Sequence, residues 1–250
     1  MEESRTKNSV RNIFYGVFTK IVTIILPFIT RTIIIQVLGT EYLGLNSLFT
    51  SILQVLNLAE LGFGNALVYS MYKPLAENND KNVCELLSYY KKCYRIIGII
   101  VLVFGILVMP FLNKLINGEY PSDINIYYIY IIYLANTVLS YFLYAYKTSL
   151  LIACQRNDIT SKVNLILVIV QNILQIIFLI AFKNYYYFII VLPFITIFNN
   201  IIISKIVDRR YPQYKAKGKL KESESLKIKK NVKGMFFQKI GSVVLSNVDN

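Results

Sequence analysis

Apolar residues in this chain gather into long unbroken runs, and those runs predict its architecture. They cover residues 13–38, 43–71, 94–116, 124–152, 163–182 and 185–207, and a seventh opens at Met235. Each complete run reaches about 20 residues or more, enough to cross a hydrocarbon core of roughly 30 Å as a helix. The pattern predicts an all-α integral membrane protein. Residues 1–207 form a six-span helical lobe, 208–234 a cytoplasmic basic linker, and 235–250 the start of a seventh span.

The loops between runs alternate in Lys and Arg. Arg5, Lys7 and Arg11 precede the first run, and residues 39–42 carry none. Lys73, Lys81, Lys91, Lys92 and Arg95 follow the second run, whereas Lys114 alone separates the third from the fourth. Lys147, Arg156 and Lys162 lie between the fourth and fifth, and Lys183 alone between the fifth and sixth. A dense basic stretch from Lys205 to Lys233 follows the sixth. The positive-inside rule then predicts a cytoplasmic N-terminus and outward hairpins with very short external loops. The protein is therefore expected in the cytoplasmic membrane.

The net charge of +13 changes this picture little. The cations cluster at cytoplasmic ends of spans, where orientation and anionic headgroups account for them, so membrane lipids are the expected partner and nucleic acid is not. Histidine is absent, which removes His-based general catalysis and His-containing zinc sites; no metal or cofactor is implied. Cys84, Cys93 and Cys154 all fall on the predicted cytoplasmic side, where a disulfide framework is not expected. The first run is too long for a signal peptide and contains Lys20 and Arg31, so it is expected to be a retained span.

Between the second and third runs, residues 74–92 have the spacing of a short amphipathic helix. Asn79 or Asp80 is the candidate cap and Val83, Leu86, Leu87 and Tyr90 form the apolar face, expected to lie along the inner membrane surface. The stretch 208–233 is expected to be a solvated linker. An internal repeat places Asn12 on Asn231, Phe18 on Phe237, Lys20 on Lys239, Ile21 on Ile240 and Leu26 on Leu245, as in parallel transporter repeats. Pro27, Pro193 and the Gly62/Gly64 pair are candidate kinks.

Polar residues inside the runs align instead of scattering. At about 100° per residue, Lys20, Thr23, Pro27 and Arg31 share an arc of span one. Asn46, Thr50, Asn57, Glu60 and Gly64 share a face of span two. Asn136, Ser140, Tyr144 and Lys147 line up on span four, Asn164, Gln171 and Gln175 on span five, and Asn199, Asn200 and Ser204 on span six. Such faces either enclose a wet cavity or serve as interhelical hydrogen-bond glue, worth about 1 kcal/mol each. Lys20 and Arg31 each lie about 10 Å from the nearer end of span one, at 1.5 Å per residue. They either snorkel to the interface or face the bundle interior. Glu60 is a candidate neutraliser of Lys20. Tyr127, Tyr128, Tyr130 and Tyr133, with Tyr185–Tyr187, are expected to form an aromatic belt at the outer boundary.

Taken together these residues resemble the polysaccharide-exporter branch of the multidrug/oligosaccharidyl-lipid/polysaccharide flippase superfamily, whose members are MATE-like two-lobe transporters. The resemblance is carried by Lys20 and Arg31, by the turn from Leu38 to Phe49, by LAELGFG at residues 58–64, and by YKPLA at residues 72–76. KKCYRIIG and FFQKIGSVVLSNVDN add to it. It implies two six-helix lobes around a central cavity, of which this sequence holds the N-terminal one; the second lobe is expected to be missing from it.

The activity implied is translocation of undecaprenyl-pyrophosphate-linked oligosaccharide for surface polysaccharide synthesis by alternating access. The lipid-linked oligosaccharide is the implied partner, with polysaccharide polymerase and glycosyltransferases alongside. Arg31, Lys20 and Lys239 are the candidate pyrophosphate ligands. Asn46, Thr50, Asn57, Glu60, Asn164, Gln171 and Gln175 are candidate cavity-lining residues that replace water around sugar hydroxyls. A multidrug antiporter of the same superfamily is the alternative, but it would be expected to place an acidic residue where span one has cations. A truncated, non-transporting fragment is a second alternative. An enzyme is not expected: a glycosyl-transfer site needs paired carboxylates on a sizeable external loop, and only Glu119 and Asp123 qualify as a pair, on a loop too small to hold a donor.

Overall fold

The computed structural model describes residues 5–57, 63–116, 120–232 and 234. Glu60, Glu119, Lys239, the seventh run and the second copy of the repeat lie outside them. The described chain is all-helical: α1 (Arg5–Val37), α2 (Thr40–Leu56), α3 (Phe63–Ala76), α4 (Asp80–Val108), α5 (Leu112–Leu115), α6 (Ile126–Phe142), α7 (Ala145–Ala153), α8 (Asn157–Phe182) and α9 (Tyr185–Arg210). Residues 222–232 are helical as well. Among the described residues, α1, α8, α9 and the continuous α4–α5 unit are each long and apolar enough to cross a bilayer. The pair α6 and α7 makes a fifth crossing, bent by 52°. The second apolar run falls on α2 and α3, on either side of residues 58–62.

Only 11% to 33% of the residues in the most apolar stretches of the four single spans are buried in protein. Ile24, Phe28, Phe104, Ile177 and Phe194 stand more than half exposed. So much continuous apolar surface is solvated by lipid, not water, and the chain is a multi-pass membrane protein.

Helices pack in the order α1 on α8, α8 on α9, α9 on α6 and α6 on α4, with α2 between α1 and α6, and α3 against α7 and α4. The turns that allow this are short. Gly39, at φ 118° and ψ 172°, occupies backbone space open essentially to glycine alone. Its N–H returns to the Ile34 carbonyl at 3.2 Å, which ends α1. Lys183 takes a left-handed conformation at φ 48°, and the next residue, Asn184, caps α9 by accepting from the Tyr186 N–H at 2.9 Å. Asn125 caps α6 by accepting from Tyr127 N–H at 3.0 Å.

Inside the bundle, large tyrosines do the filling and then need partners for their hydroxyls. Tyr90 donates to the Leu67 carbonyl at 2.9 Å and Tyr130 to the Gly105 carbonyl at 2.9 Å. Tyr133 donates to Asn46 Oδ1 and lies 3.1 Å from the Tyr185 hydroxyl. Tyr130, Tyr133 and Tyr185 are thus core residues with at most 5% exposure, not members of an interfacial belt; only Tyr128 and Tyr187 of the expected group are well exposed. Glycine lets α4 approach α6 closely, since a Cβ on Gly98 would sit 3.0 Å from Tyr141 Cβ.

The polar stripe of span four turns out to be a seam against α9. Thr196 donates to Asn136 Oδ1 at 2.6 Å, and the Tyr144 N–H, left without a helical acceptor at the bend, donates to Asn200 Oδ1 at 3.2 Å. Lys147 Nζ donates to Ser204 Oγ at 2.8 Å and to both Asp208 oxygens at 2.6 and 2.7 Å, and lies 5.0 Å from the Tyr144 ring centroid. The bend falls at Leu143–Tyr144, where there is no proline or glycine, while Pro27 and Pro193 sit within continuous helices.

Two cytoplasmic expectations are corrected. Asn79 does cap a helix, accepting from Asn82 N–H at 3.1 Å, but that helix is α4 itself, which continues to Val108. Val83, Leu86, Leu87 and Tyr90 are buried in the bundle and so do not lie on a membrane surface. The stretch after α9 is mostly exposed, as a linker would be, but it is also pinned to the bundle. It folds back as a strap along the N-terminal end of α4, with Leu220 and Ile228 buried and the Cys84 thiol donating to the Gln213 carbonyl at 3.4 Å. Burial, then the neighbouring Cys154, pushes the Tyr211 hydroxyl up to about 12, and burial followed by Asp80 raises Tyr214. Alternating lysines disguised this: apolar anchors as sparse as Leu220 and Ile228 do not form a periodic pattern.

The strap makes a testable demand. With Cys93 and Cys154 replaced by Ser, Cys84 should react slowly with a water-soluble maleimide. Ile228→Asp should speed that reaction about tenfold by opening the strap locally; equal rates would show that the strap is not docked.

Candidate functional site

A cavity of about 340 Å³ opens between α1, α2, α8 and α9. Helical spacing puts Thr23, Pro27, Thr30, Arg31 and Ile34 of α1 on one side of it, facing Val168, Gln171, Asn172 and Gln175 of α8. Asn46 of α2 and Phe188 and Leu192 of α9 complete the lining.

Most polar groups in this wall are committed to one another. Thr30, 4% exposed, donates to Asn172 Oδ1 at 2.6 Å, and Asn172 donates through Nδ2 to the Val168 carbonyl at 2.7 Å. Gln175, 3% exposed, donates to the Phe188 carbonyl at 3.2 Å and accepts from Gln171 Nε2 at 3.4 Å. Asn46 accepts from Tyr133. Thr23 donates to the Lys20 carbonyl at 2.9 Å. These bonds join α1 to α8, α8 to α9 and α2 to α6, so the wall is both lining and glue.

Arg31 is the exception. Its side chain is exposed on the cavity side of α1, and among the described residues no carboxylate pairs with it. The lining contains no Asp or Glu. A guanidinium with five donors and no anionic partner, beside a neutral amide and hydroxyl wall, is suited to a bidentate oxyanion.

The other sequence candidates distribute as follows. Asn46, Gln171 and Gln175 share the cavity with Arg31. Lys20 is exposed on α1 below it, outside the lining, and Thr50 is exposed with its hydroxyl on the Asn46 carbonyl at 2.7 Å. Asn57 accepts from the Tyr141 hydroxyl at 3.0 Å, and Asn164 is half-buried on α8 away from the lining. Glu60 and Lys239 lie outside the described residues. Thr30 and Asn172 were missed, although Thr30 follows Thr23 by seven residues and so falls on the same side of α1.

The Thr30–Asn172 bond carries a prediction about packing. Asn172→Leu removes the only described side-chain hydrogen bond between α1 and α8 that is fully buried. It should lower stability in detergent by about 1 kcal/mol, read as a lower thermal midpoint; an unchanged midpoint would mean that apolar contact alone holds α1.

Comparison with known proteins places these features in a family context. A family model described as polysaccharide biosynthesis protein matches residues 9–250. No curated protein and no solved structure matches the chain.

Proposed function

The chain belongs to the polysaccharide biosynthesis protein family, and on that premise we propose that it translocates a lipid-linked oligosaccharide across the cytoplasmic membrane, in the manner of the exporter branch that the sequence resembles. The observation that carries this reading is Arg31, a cation with no carboxylate partner among the described residues, at the edge of an otherwise uncharged cavity within the membrane-spanning bundle. Charge at the centre of a bilayer costs about 2.5–3.5 kcal/mol even by insertion scales. A group kept there needs a compensating interaction, and a pyrophosphate supplies one.

The proposed chemistry is passage, not bond breaking. Arg31 donates charge-assisted hydrogen bonds to pyrophosphate oxygens, each worth about 1.5–3 kcal/mol net. The amides of Gln171 and Gln175 exchange some of their mutual hydrogen bonding for contacts to sugar hydroxyls. The isoprenoid tail stays in lipid, so that only the polar headgroup needs a protein path. Alternating access requires helices that reorient, and the bend between α6 and α7, capped by Asn200, is the described element best suited to it. The N-terminus is taken as cytoplasmic from the charge bias. Polymerase and glycosyltransferases are the proposed functional neighbours. An organic cation is disfavoured as cargo because the described lining has no carboxylate to receive it.

In cells, Arg31→Ala should abolish surface polysaccharide and cause lipid-linked oligosaccharide to accumulate, with membrane insertion unchanged. Arg31→Lys should restore part of the export, since charge survives but the planar fork does not. Wild-type export by Arg31→Ala would overturn the proposal.

A further inference from the structure

In the seams described above, buried amides and hydroxyls pair between helices. Two buried side-chain oxygens among the described residues have no partner: Asn82 Oδ1 in the first turn of α4, and Asn199 Oδ1 within the bundle. A second cavity, of about 350 Å³, lies between α3, α4, the bent α6–α7 pair and α9. Its polar lining is Asn65, Ser140, Thr148, Ser149, Asn199 and Asn200, with no charged residue. Asn199 Oδ1 is buried and has no hydrogen-bond partner among the described residues. Ser149 is 4% exposed. Asn200 is spoken for on its oxygen by the Tyr144 N–H and donates through Nδ2 to the Thr196 carbonyl at 2.9 Å. Ser140 donates to the Thr137 carbonyl at 2.6 Å and keeps its lone pairs for an incoming donor.

An unmatched buried amide inside a membrane-spanning bundle costs on the order of a few kcal/mol, and neighbouring seams show that this fold readily supplies partners. An open buried acceptor among uncharged amides and hydroxyls is complementary to a neutral ligand that donates. Hydroxyl groups do this, and a sugar carries several. The cavity also lies close to the site of Arg31. Leu192 lines the first cavity and Asn199 the second, seven residues apart on α9, or about 10 Å at 1.5 Å per residue.

We propose that the α3–α4–α7–α9 cavity is a sugar subsite that holds a neutral glycosyl residue through Asn199, Ser149, Thr148 and Asn65. This rests on the transport reading for its biological sense but concerns a different site from that of Arg31. The division of labour is by charge: the guanidinium takes the oxyanion and the neutral pocket takes hydroxyls.

The test uses the purified full chain in lipid nanodiscs with two probes, N-acetylglucosamine and inorganic pyrophosphate. Saturation-transfer NMR should detect the sugar on the wild type, and Asn199→Leu should reduce that signal about tenfold, equivalent to about 1.4 kcal/mol. Asn65→Leu, at an exposed lining position where folding is not at stake, should reduce it as well. Pyrophosphate binding, followed by ³¹P line broadening, should persist in both variants and be lost in Arg31→Ala. No sugar signal on the wild type would mean that the cavity holds water only and would overturn the subsite; so would an undiminished signal in both leucine variants. If instead pyrophosphate binding survives Arg31→Ala, the transport reading fails whatever the sugar result.

Discussion

A polar group in a bilayer-spanning helix has no water to fall back on, and this requirement organises the whole molecule. Backbone groups meet it by staying helical. Side chains meet it in pairs: Asn136 with Thr196, Asn57 with Tyr141, Asn46 with Tyr133, Thr30 with Asn172 and Lys147 with Ser204 and Asp208. The pairs decide which helix sits beside which. They also make the exceptions informative, because a fold that matches polar groups this consistently leaves one open only where something else completes it. Within the spans Arg31 and Asn199 Oδ1 are such exceptions; Asn82 Oδ1, in the first turn of α4, is another among the described residues.

The two differ in kind. Arg31 is a cation at the rim of a cavity whose amides are already paired. Asn199 is a neutral acceptor among other neutral groups. Bringing both into contact with one amphipathic headgroup requires no new chemistry, only that the helices carrying them can move. The bend at Leu143–Tyr144 joins α6 to α7 beside the second cavity and is tied to α9 by the Tyr144–Asn200 bond and by Lys147.

Much of this was legible in the amino-acid sequence, for physical reasons. Lipid demands long apolar runs, so the spans stand out, and helix periodicity put Thr23, Pro27 and Arg31 on the face that lines a cavity. Gln171 and Gln175 were legible by the same spacing. What escaped was set by tertiary contact. The bend in span four has no proline or glycine; its broken N–H is satisfied from another helix by Asn200. The face of Val83, Leu86, Leu87 and Tyr90 was seen, but periodicity cannot say whether an apolar face meets lipid or protein. Tyr130, Tyr133 and Tyr185 carry the composition of a belt and the burial of a core. Leu220 and Ile228 anchor the strap from within a lysine-rich stretch that composition alone assigns to solvent.

Everything functional turns on which solvent the inner face of α1 meets. In a cysteine-free background, single cysteines at positions 23 and 31 can be compared with cysteines at 25 and 29, on the opposite, lipid-exposed side of the helix. A membrane-impermeant methanethiosulfonate reagent should modify positions 23 and 31 and leave 25 and 29 untouched. Protection of all four positions from reagent on either side of the membrane would contradict a hydrated cavity at Arg31.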